Sequence, residues 1–430
     1  MRSFFRPRSP EPRAESAEIL AHLDSRLDRI DRIASRIQRD VERIKLHTGL
    51  VLESTRALAL LASGQRIYVD PRDRGCGINL LSDGKYEENE LAVFKRYLRP
   101  GSVVLDIGAN YGIYSISAAP YVRPGGRVIG FEPNPHVWDL FRGSVYVNSL
   151  GDIVEARRLG VHNTNGTLRF LVEESSPGGA RVVEADVEPG PGASIIDVPV
   201  VRIDDHLPPD LIADVVKIDV EGHEESVLRG MRSLIERSPG IVILMELFYP
   251  FFPDDQTFQN FIHFITEDLG LVISRIGADA TLTPGSVDSL RGTIGSVLLS
   301  KQAPPARPDL TIVAEQLYAG PHAKMADSQL SWARREAGDP NAILAHGPYL
   351  YLPKGYYRLT IDADFDGDFT CSLLENSGDP IARYLIPTGH GFEVDVPVIF
   401  DAPSFEIAFW PADENSAEMK FRKAELWKLG

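Results

Sequence analysis

Val103 to Tyr114 reads VVLDIGANYGIY, and Arg127 to Pro135 reads RVIGFEPNP. The first stretch is an apolar strand that runs into Asp106. Gly108 and Gly112 then let the backbone turn tightly and approach a ligand, and a helix N-terminus follows. Glu132, 24 residues after Gly108, closes the next apolar strand. An acid placed there accepts hydrogen bonds from the two hydroxyls of a ribose. A nicotinamide cofactor prefers G-x-G-x-x-G, whose glycines admit a pyrophosphate. Here the spacing is D-x-G-x-x-x-G, and Asp106 would meet a pyrophosphate with like charge. A cofactor carrying an amino acid and a sulfonium but no phosphate suits two acids better, and S-adenosylmethionine is such a molecule.

Outward from this segment, apolar strands alternate with amphipathic helices. Strands are expected at Val103–Ile107, Arg127–Phe131, Ile153–Leu159, Val215–Asp219 and Ile241–Leu247, and helices starting near Ile113, Pro135, Glu224 and Thr257. That rhythm predicts parallel βαβ units in an α/β, Rossmann-like doubly wound sheet. Residues 160–210 break it with Gly/Pro clusters (SSPGG, EPGPG) and read as inserted β-hairpins. Residues 49–100 read as a linking helix, an extended piece at Arg66–Asp70, a Gly-containing turn and a helix from about Glu87 to Leu98.

The flanks differ in texture. Residues 1–14 are rich in Pro, Arg and Ser and read as a disordered basic arm. Leu20, Leu23, Leu27, Ile30, Ala34, Ile37, Val41 and Ile44 then recur at alternating spacings of three and four, an a/d seam. Residues 15–63 are therefore assigned to a coiled-coil helix that makes the chain a homo-oligomer. Leu at a with Ile at d favours a trimer or tetramer over a dimer. One amphipathic helix packed on its own domain would be the plainer reading. The methyl-cofactor domain is placed at 64–300 and a linker at 301–309 (KQAPPARP begins at Lys301). Residues 310–430, with many short strands between turns, are read as a β-sandwich or jelly roll.

Composition excludes several classes. With 430 residues, 43% hydrophobic and 25% charged, the chain has ample core for two or three domains. Its longest apolar stretch, Ile241 to Phe252, is interrupted by Glu246, and a bilayer span needs about 20 residues. The N-terminus lacks the apolar core of a secretory signal. Two distant cysteines, Cys76 and Cys371, fit a reducing compartment, so a cytoplasmic location is expected. A net charge of −16 repels a phosphate backbone, so no nucleic-acid partner is expected.

DIGANYGIYS, FEPNP, VPVVRIDDHL at Val198 to Leu207 and VVKIDVEGHEESVLRGM, with Tyr86-Glu87 ahead of them, resemble the FkbM-type S-adenosylmethionine-dependent methyltransferases over roughly residues 80–275. The resemblance implies a Rossmann-like methyltransferase fold and O-methylation, often of sugar hydroxyls in surface glycans, glycolipids or glycosylated metabolites. A polyketide-type hydroxyl falls within the same range. It also implies that Asp106, Gly108, Asn110 and Gly112 form the cofactor loop, and that Glu132, Pro133 and Asn134 form the ribose-binding strand end. Lys217, Asp219, Glu221, Gly222 and Glu224 match the K-I-D-x-E-G-x-E stretch. His223 stands where the family often has a small residue.

A sugar hydroxyl is a weak nucleophile, so a base must take its proton as the methyl is transferred. Asp219 and Glu221 end the fourth strand, where open α/β sheets carry their sites. Either acid is a candidate base, and together they are candidates for holding a divalent cation such as Mg; no dedicated metal ligands are otherwise read. In the plainer reading they cap the next helix or bind cofactor. His223 is a third candidate, because it titrates in the useful range. Glu246, an acid within an apolar strand, needs a polar ligand or a basic partner. Glu87 and Tyr249 are expected to reach the acceptor. A scaffold that keeps its cofactor but not its catalysis is the alternative from another class; the intact Asp106, Glu132, Asp219 and Glu221 argue against it.

Overall fold

The computed structural model describes residues 50–430 apart from 185, 279, 304–309, 320–322, 327, 334–343, 353–354, 376–378, 399–401, 413–417 and 430. The basic arm and the heptad seam lie outside the described residues.

The chain first makes a three-stranded antiparallel sheet, β1 (Leu50–Glu53), β2 (Arg56–Leu60) and β3 (Arg66–Val69). This corrects the expected linking helix and the end of the coiled coil at residue 63. Arg56 to Leu60 alternates, and Ala57 and Ala59 are fully covered, so the period is two rather than 3.6. It also moves the domain start to residue 50, because β3 is tied to the domain: the Tyr68 amide donates to Ser144 Oγ at 2.8 Å. Two helices follow, α1 (Cys76–Asp83) and α2 (Glu88–Lys95).

Strands β4 (Val103–Ile107), β5 (Arg127–Phe131) and β6 (Val154–Arg157) alternate with α3 (Ile113–Val122) and α4 (Pro135–Val147). Residues 160–201 supply β7 (Gly160–Val161), β8 (Gly166–Glu173), β9 (Ser176–Val182) and β10 (Ala193–Val201), a separate sheet in the order β7-β10-β8-β9. The chain then returns through β11 (Val215–Ile218), α5 (Glu224–Gly230), β12 (Val242–Phe248), α6 (Asp255–His263), β13 (Val272–Ile276), β14 (Leu282–Pro284) and β15 (Ile294–Ser300).

The main sheet has the order β14-β13-β15-β12-β11-β4-β5-β6. Pairing is parallel from β12 to β6, as the alternating texture predicts. Beyond β12 the pairing is antiparallel, through β15, β13 and β14, a feature the sequence reading lacks. Neighbouring residues of one strand enter different cores. Val104, Val128 and Leu244 join Ile116 and Phe141, whereas Leu105, Ile129 and Ile243 join Val227 and Phe258. Both faces are thus covered by helices, which is why these strands read as continuous apolar runs. Strand order reverses between β4 and β11, the place where open sheets of this kind bind ligands.

The C-terminal residues build two antiparallel sheets. One contains β16 (Leu310–Val313), β18 (Ala323–Ala326), β19 (Gln329–Ala333), β21 (Gly355–Asp366), β24 (Gly389–Val398) and β26 (Glu418–Leu429). The other contains β17 (Tyr318–Ala319), β20 (Ala345–Leu352), β22 (Phe369–Glu375), β23 (Asp379–Ile386) and β25 (Ala402–Pro411). Phe409 of the second lies 5.3 Å from Phe421 of the first, ring to ring. Among the described residues no helix is long and apolar enough to cross a membrane.

Candidate active site

The loops after β4 and β11 meet at the switch point. Gly108 has φ +79°, and a Cβ there would stand 1.7 Å from the Asp219 carbonyl oxygen. Only glycine lets the two backbones approach this closely. The Gly108 and Ala109 amides donate to the Phe131 carbonyl at 3.0 and 2.9 Å, and the Asp219 amide to Ile107 at 3.0 Å. The three strand ends are thus stitched together. Gly112, at φ +87°, starts α3 with the Phe141 ring only 2.1 Å from where a Cβ would sit.

Each acid of this region is held differently. Asp106 is buried and turned into the helix: its Oδ2 accepts from the Ser115 amide at 2.9 Å and the Ser115 hydroxyl at 2.6 Å. That satisfies an orphan first-turn donor and places negative charge at the helix N-terminus. Burial pushes its carboxyl up to about 6. Glu132 Oε2 accepts from the Asn110 amide at 2.9 Å, and Oε1 from the Asn134 amide at 2.8 Å. Burial outweighs these bonds and pushes the Glu132 carboxyl up to about 8. Asn134 caps α4 through the His136 amide at 3.0 Å, and its side-chain amide donates to the Pro177 carbonyl of β9 at 2.9 Å.

A cavity of about 210 Å³ opens between these loops and the inserted sheet. Gly108, Asn110, Glu132 and Pro133 line one part; Asp219, Glu221, His223 and Glu246 line another. Between them lies Lys217, 1% exposed, whose Nζ donates to Asp219 Oδ2 at 3.1 Å. Burial works against its charge, but the carboxylates of Asp219 and Glu87 more than offset it and raise its pKa. Glu221, with φ +53°, is pushed up to about 7 by burial and by the charges of Asp219 and Glu224. Glu246 goes up to about 9, through burial and then the charge of Asp219, and its Oε2 is buried without a partner. Asn110 Oδ1 is likewise buried and unpartnered. His223 is shifted down by burial and by His162, whose ring lies 5.7 Å away.

The structure separates some predicted residues from the cavity. Asp106, Gly112 and Asn134 shape the loop from behind and are not among its lining residues. Glu87 stands one layer back, accepting from the Tyr114 hydroxyl at 2.6 Å while the Tyr114 side chain takes the lining position. Tyr249 is elsewhere: its ring packs edge-on against Phe258 at 4.9 Å and its hydroxyl meets Asp255 at 3.4 Å. Tyr249 and Phe252 are consumed by packing on α6, so the expected acceptor contact at Tyr249 is corrected. The expected cation also lacks a ligand set: among the described residues no group of three or more His, Cys, Asp or Glu is arranged to hold a metal ion.

Several lining residues escaped the sequence reading. Lys217 was matched without a role. Tyr86, like Lys217, stands in a motif without a role, and with Asp73 and Cys76 it comes from the segment between β3 and β4; Asp73 is fixed by the hydroxyl of the fully buried Tyr111 at 2.8 Å. The β9 hairpin lies directly on the loop between β4 and α3; a Cβ on Gly178 would stand 2.4 Å from the Asn110 side-chain amide. SSPGG announces a turn, but nothing local says where the turn lands.

Residues 106–271 match the family described as the methyltransferase FkbM domain. Methyltransferase sdnD of Sordaria araneosa is 28% identical over 158 residues, 30% of this chain and 60% of that protein. The chain thus spans about 60% of the length of the curated relative it matches. Among solved structures, methyltransferase FkbM from Methylobacillus flagellatus KT aligns with a TM-score of 0.30 and 18% identity, over 46% of this chain and 43% of its own. P. horikoshii TYW2 in complex with MeSAdo aligns with a TM-score of 0.32 and 15% identity, over 58% of this chain and 73% of its own.

Proposed function

We propose that the chain is an S-adenosylmethionine-dependent O-methyltransferase acting on a sugar hydroxyl of a surface polysaccharide, glycolipid or glycosylated metabolite. The observation that carries the reading is one cavity with a ribose-type acid, Glu132, on one side and the Lys217-centred acids on the other. The residues fit the cofactor. Glu132 keeps a spare lone pair on each oxygen, Asn110 Oδ1 is a buried acceptor without a partner, and Gly108 leaves the backbone open to close approach.

S-adenosylmethionine supplies, when bound, a methyl on a sulfonium that is open to in-line displacement by oxygen. Glu221, poised near neutrality, takes the proton that the acceptor hydroxyl gives up as its oxygen–carbon bond forms. Asp219, anchored by Lys217, orients that hydroxyl. Glu246 is protonated at neutral pH and offers its unpartnered oxygen to the acceptor. His223, kept neutral by its surroundings, is the second candidate base. Such holding of reactants in line is worth several kcal/mol of barrier in general.

The remaining parts follow the sequence. The heptad seam assembles a trimer or tetramer, the C-terminal sheets act as an accessory β-sandwich that positions a glycan, and the protein works in the cytoplasm without a nucleic-acid partner. A second reading, a polyketide-type hydroxyl, is favoured by the apolar wall that Val161, Phe170, Val182 and Val200 give the cavity.

The test is transfer of radiolabelled methyl from S-adenosylmethionine to a panel of sugars and hydroxylated polyketides. The reading expects label on an alkali-stable ether, lost in Asp219→Asn and Glu221→Gln while S-adenosylhomocysteine still binds. Label on nitrogen or carbon, or full turnover in both variants, contradicts it.

A further inference from the structure

β1 (Leu50–Glu53) reads LVLE, and all four of its residues are exposed. Successive side chains of a strand point to opposite faces. Leu50, Val51 and Leu52 are nevertheless 58%, 61% and 47% exposed, so neither face is covered. β1 also stands at one end of its sheet, in the order β1-β2-β3. Its register sets Leu50 opposite Leu58 and Val51 opposite Ala57 of β2, and among the described residues no strand lies on its other side. On β2, by contrast, Ala57 and Ala59 are fully covered.

A single exposed leucine needs no explanation. Three consecutive apolar residues on an open edge do, because such an edge invites another chain, and strands that stay solitary carry charges or proline there. The only charge on β1 is Glu53, at its end.

Position in the chain, size and charge choose the occupant. β1 is the first described element after the heptad seam, whose last position, Ile44, stands six residues before Leu50. An assembly through that seam gathers the β1 strands of its copies. Three side chains cover far less than the roughly 800 Å² per partner of a stable interface, so the patch belongs to a larger contact and not to a free-standing partner. A net charge of −16 sets the chain against an anionic lipid surface. The same apolar strand on another copy has the matching size and chemistry.

We infer that β1 is a contact between copies of this chain, with Leu50, Val51 and Leu52 packing against the same strand of a second copy. The inference rests on the oligomeric reading of the heptad seam and adds to it a surface on the folded domain. That surface is tied to the catalytic sheet through β3, whose Tyr68 amide donates to Ser144 Oγ of α4.

The test compares maleimide labelling of two full-chain variants, Val51→Cys and, as control, Leu385→Cys. Leu385 of β23 is 62% exposed and Val51 61%, so the two positions are equally open on one copy, and the chain's own Cys76 and Cys371 are buried. In the assembly, sized by light scattering, Val51→Cys should react at least ten-fold more slowly than Leu385→Cys, and dilution to single copies should remove the difference. Val51→Asp should weaken self-association at least ten-fold in sedimentation with an unchanged circular dichroism spectrum, whereas Leu385→Asp leaves association as it was. A chain that stays single at every concentration overturns the seam reading and the contact together. An assembly in which both positions react alike, or in which Val51→Asp associates as tightly as Leu385→Asp, overturns the contact alone. Protection of Val51→Cys that survives dilution to single copies assigns the cover to the chain's own residues and also overturns it.

Discussion

Replacing Gly108 with alanine tests the meeting of the β4 and β11 loops. The new methyl would stand 1.7 Å from the Asp219 carbonyl oxygen, against 3.4–4 Å for an ordinary contact. Both partners are backbone, so neither can swing aside. A side chain at φ +79° costs about 1–2 kcal/mol by itself. Forcing the loops apart adds about 1–3 kcal/mol, the usual range for overpacking. Gly101 provides the control: it has φ +83° with nothing within 4 Å of the added methyl, so Gly101→Ala carries the conformational cost alone. At about 2–4 °C per kcal/mol for a domain of this size, Gly108→Ala should melt roughly 2–12 °C below Gly101→Ala in scanning calorimetry. It should also displace Asp219 and lose S-adenosylhomocysteine binding, which Gly101→Ala keeps. Equal melting temperatures and equal binding would refute the close crossing of the two loops.

Because burial raises the Glu132 carboxyl from 4.5 to about 8, the free native protein holds a proton that the unfolded chain has shed between those values. Its stability should therefore fall as pH rises through that window and level off above it. Cofactor hydroxyls favour the ionised carboxylate, so calorimetry of S-adenosylhomocysteine at pH 7 in buffers of different ionisation enthalpy should report proton release, absent in Glu132→Gln. Glu221 acts as a base only when ionised, so kcat/KM should rise with pH and flatten above about 7. Glu221→Gln should lower the rate by about 10²–10⁴-fold and remove that limb; an unchanged profile assigns the proton to another group. Asn134→Ala removes a helix cap and the tie to Pro177, together about 1–3 kcal/mol. Faster proteolysis of the β9 hairpin should accompany the drop in melting temperature.

What the sequence revealed was what is local. Strand and helix periods fixed β4 to β6, β11 and β12 and the helix starts at Ile113, Pro135 and Glu224, because burial on both faces writes continuous apolar runs. The turn glycines and Glu132 could be placed in the chain because their positions follow from one strand-turn-helix unit. Arg56 to Leu60 was misread because its alternation is short and adjoins a strong helical pattern. The antiparallel insertion of β15 beside β12, the seat of the β9 hairpin on Asn110 and the Tyr111–Asp73 bond are contacts between distant segments, which no local pattern encodes. Tyr249 shows the converse: an aromatic after a strand end looks like a binding platform until α6 is known to cover it.

The most direct test of the central claim is calorimetric titration of the full chain with S-adenosylmethionine and S-adenosylhomocysteine, with NAD alongside and Glu132→Ala in parallel. The account predicts one-to-one binding of both sulfur cofactors, none of NAD, and loss of binding in the variant. Binding of NAD instead, or undiminished cofactor binding by Glu132→Ala, would contradict it.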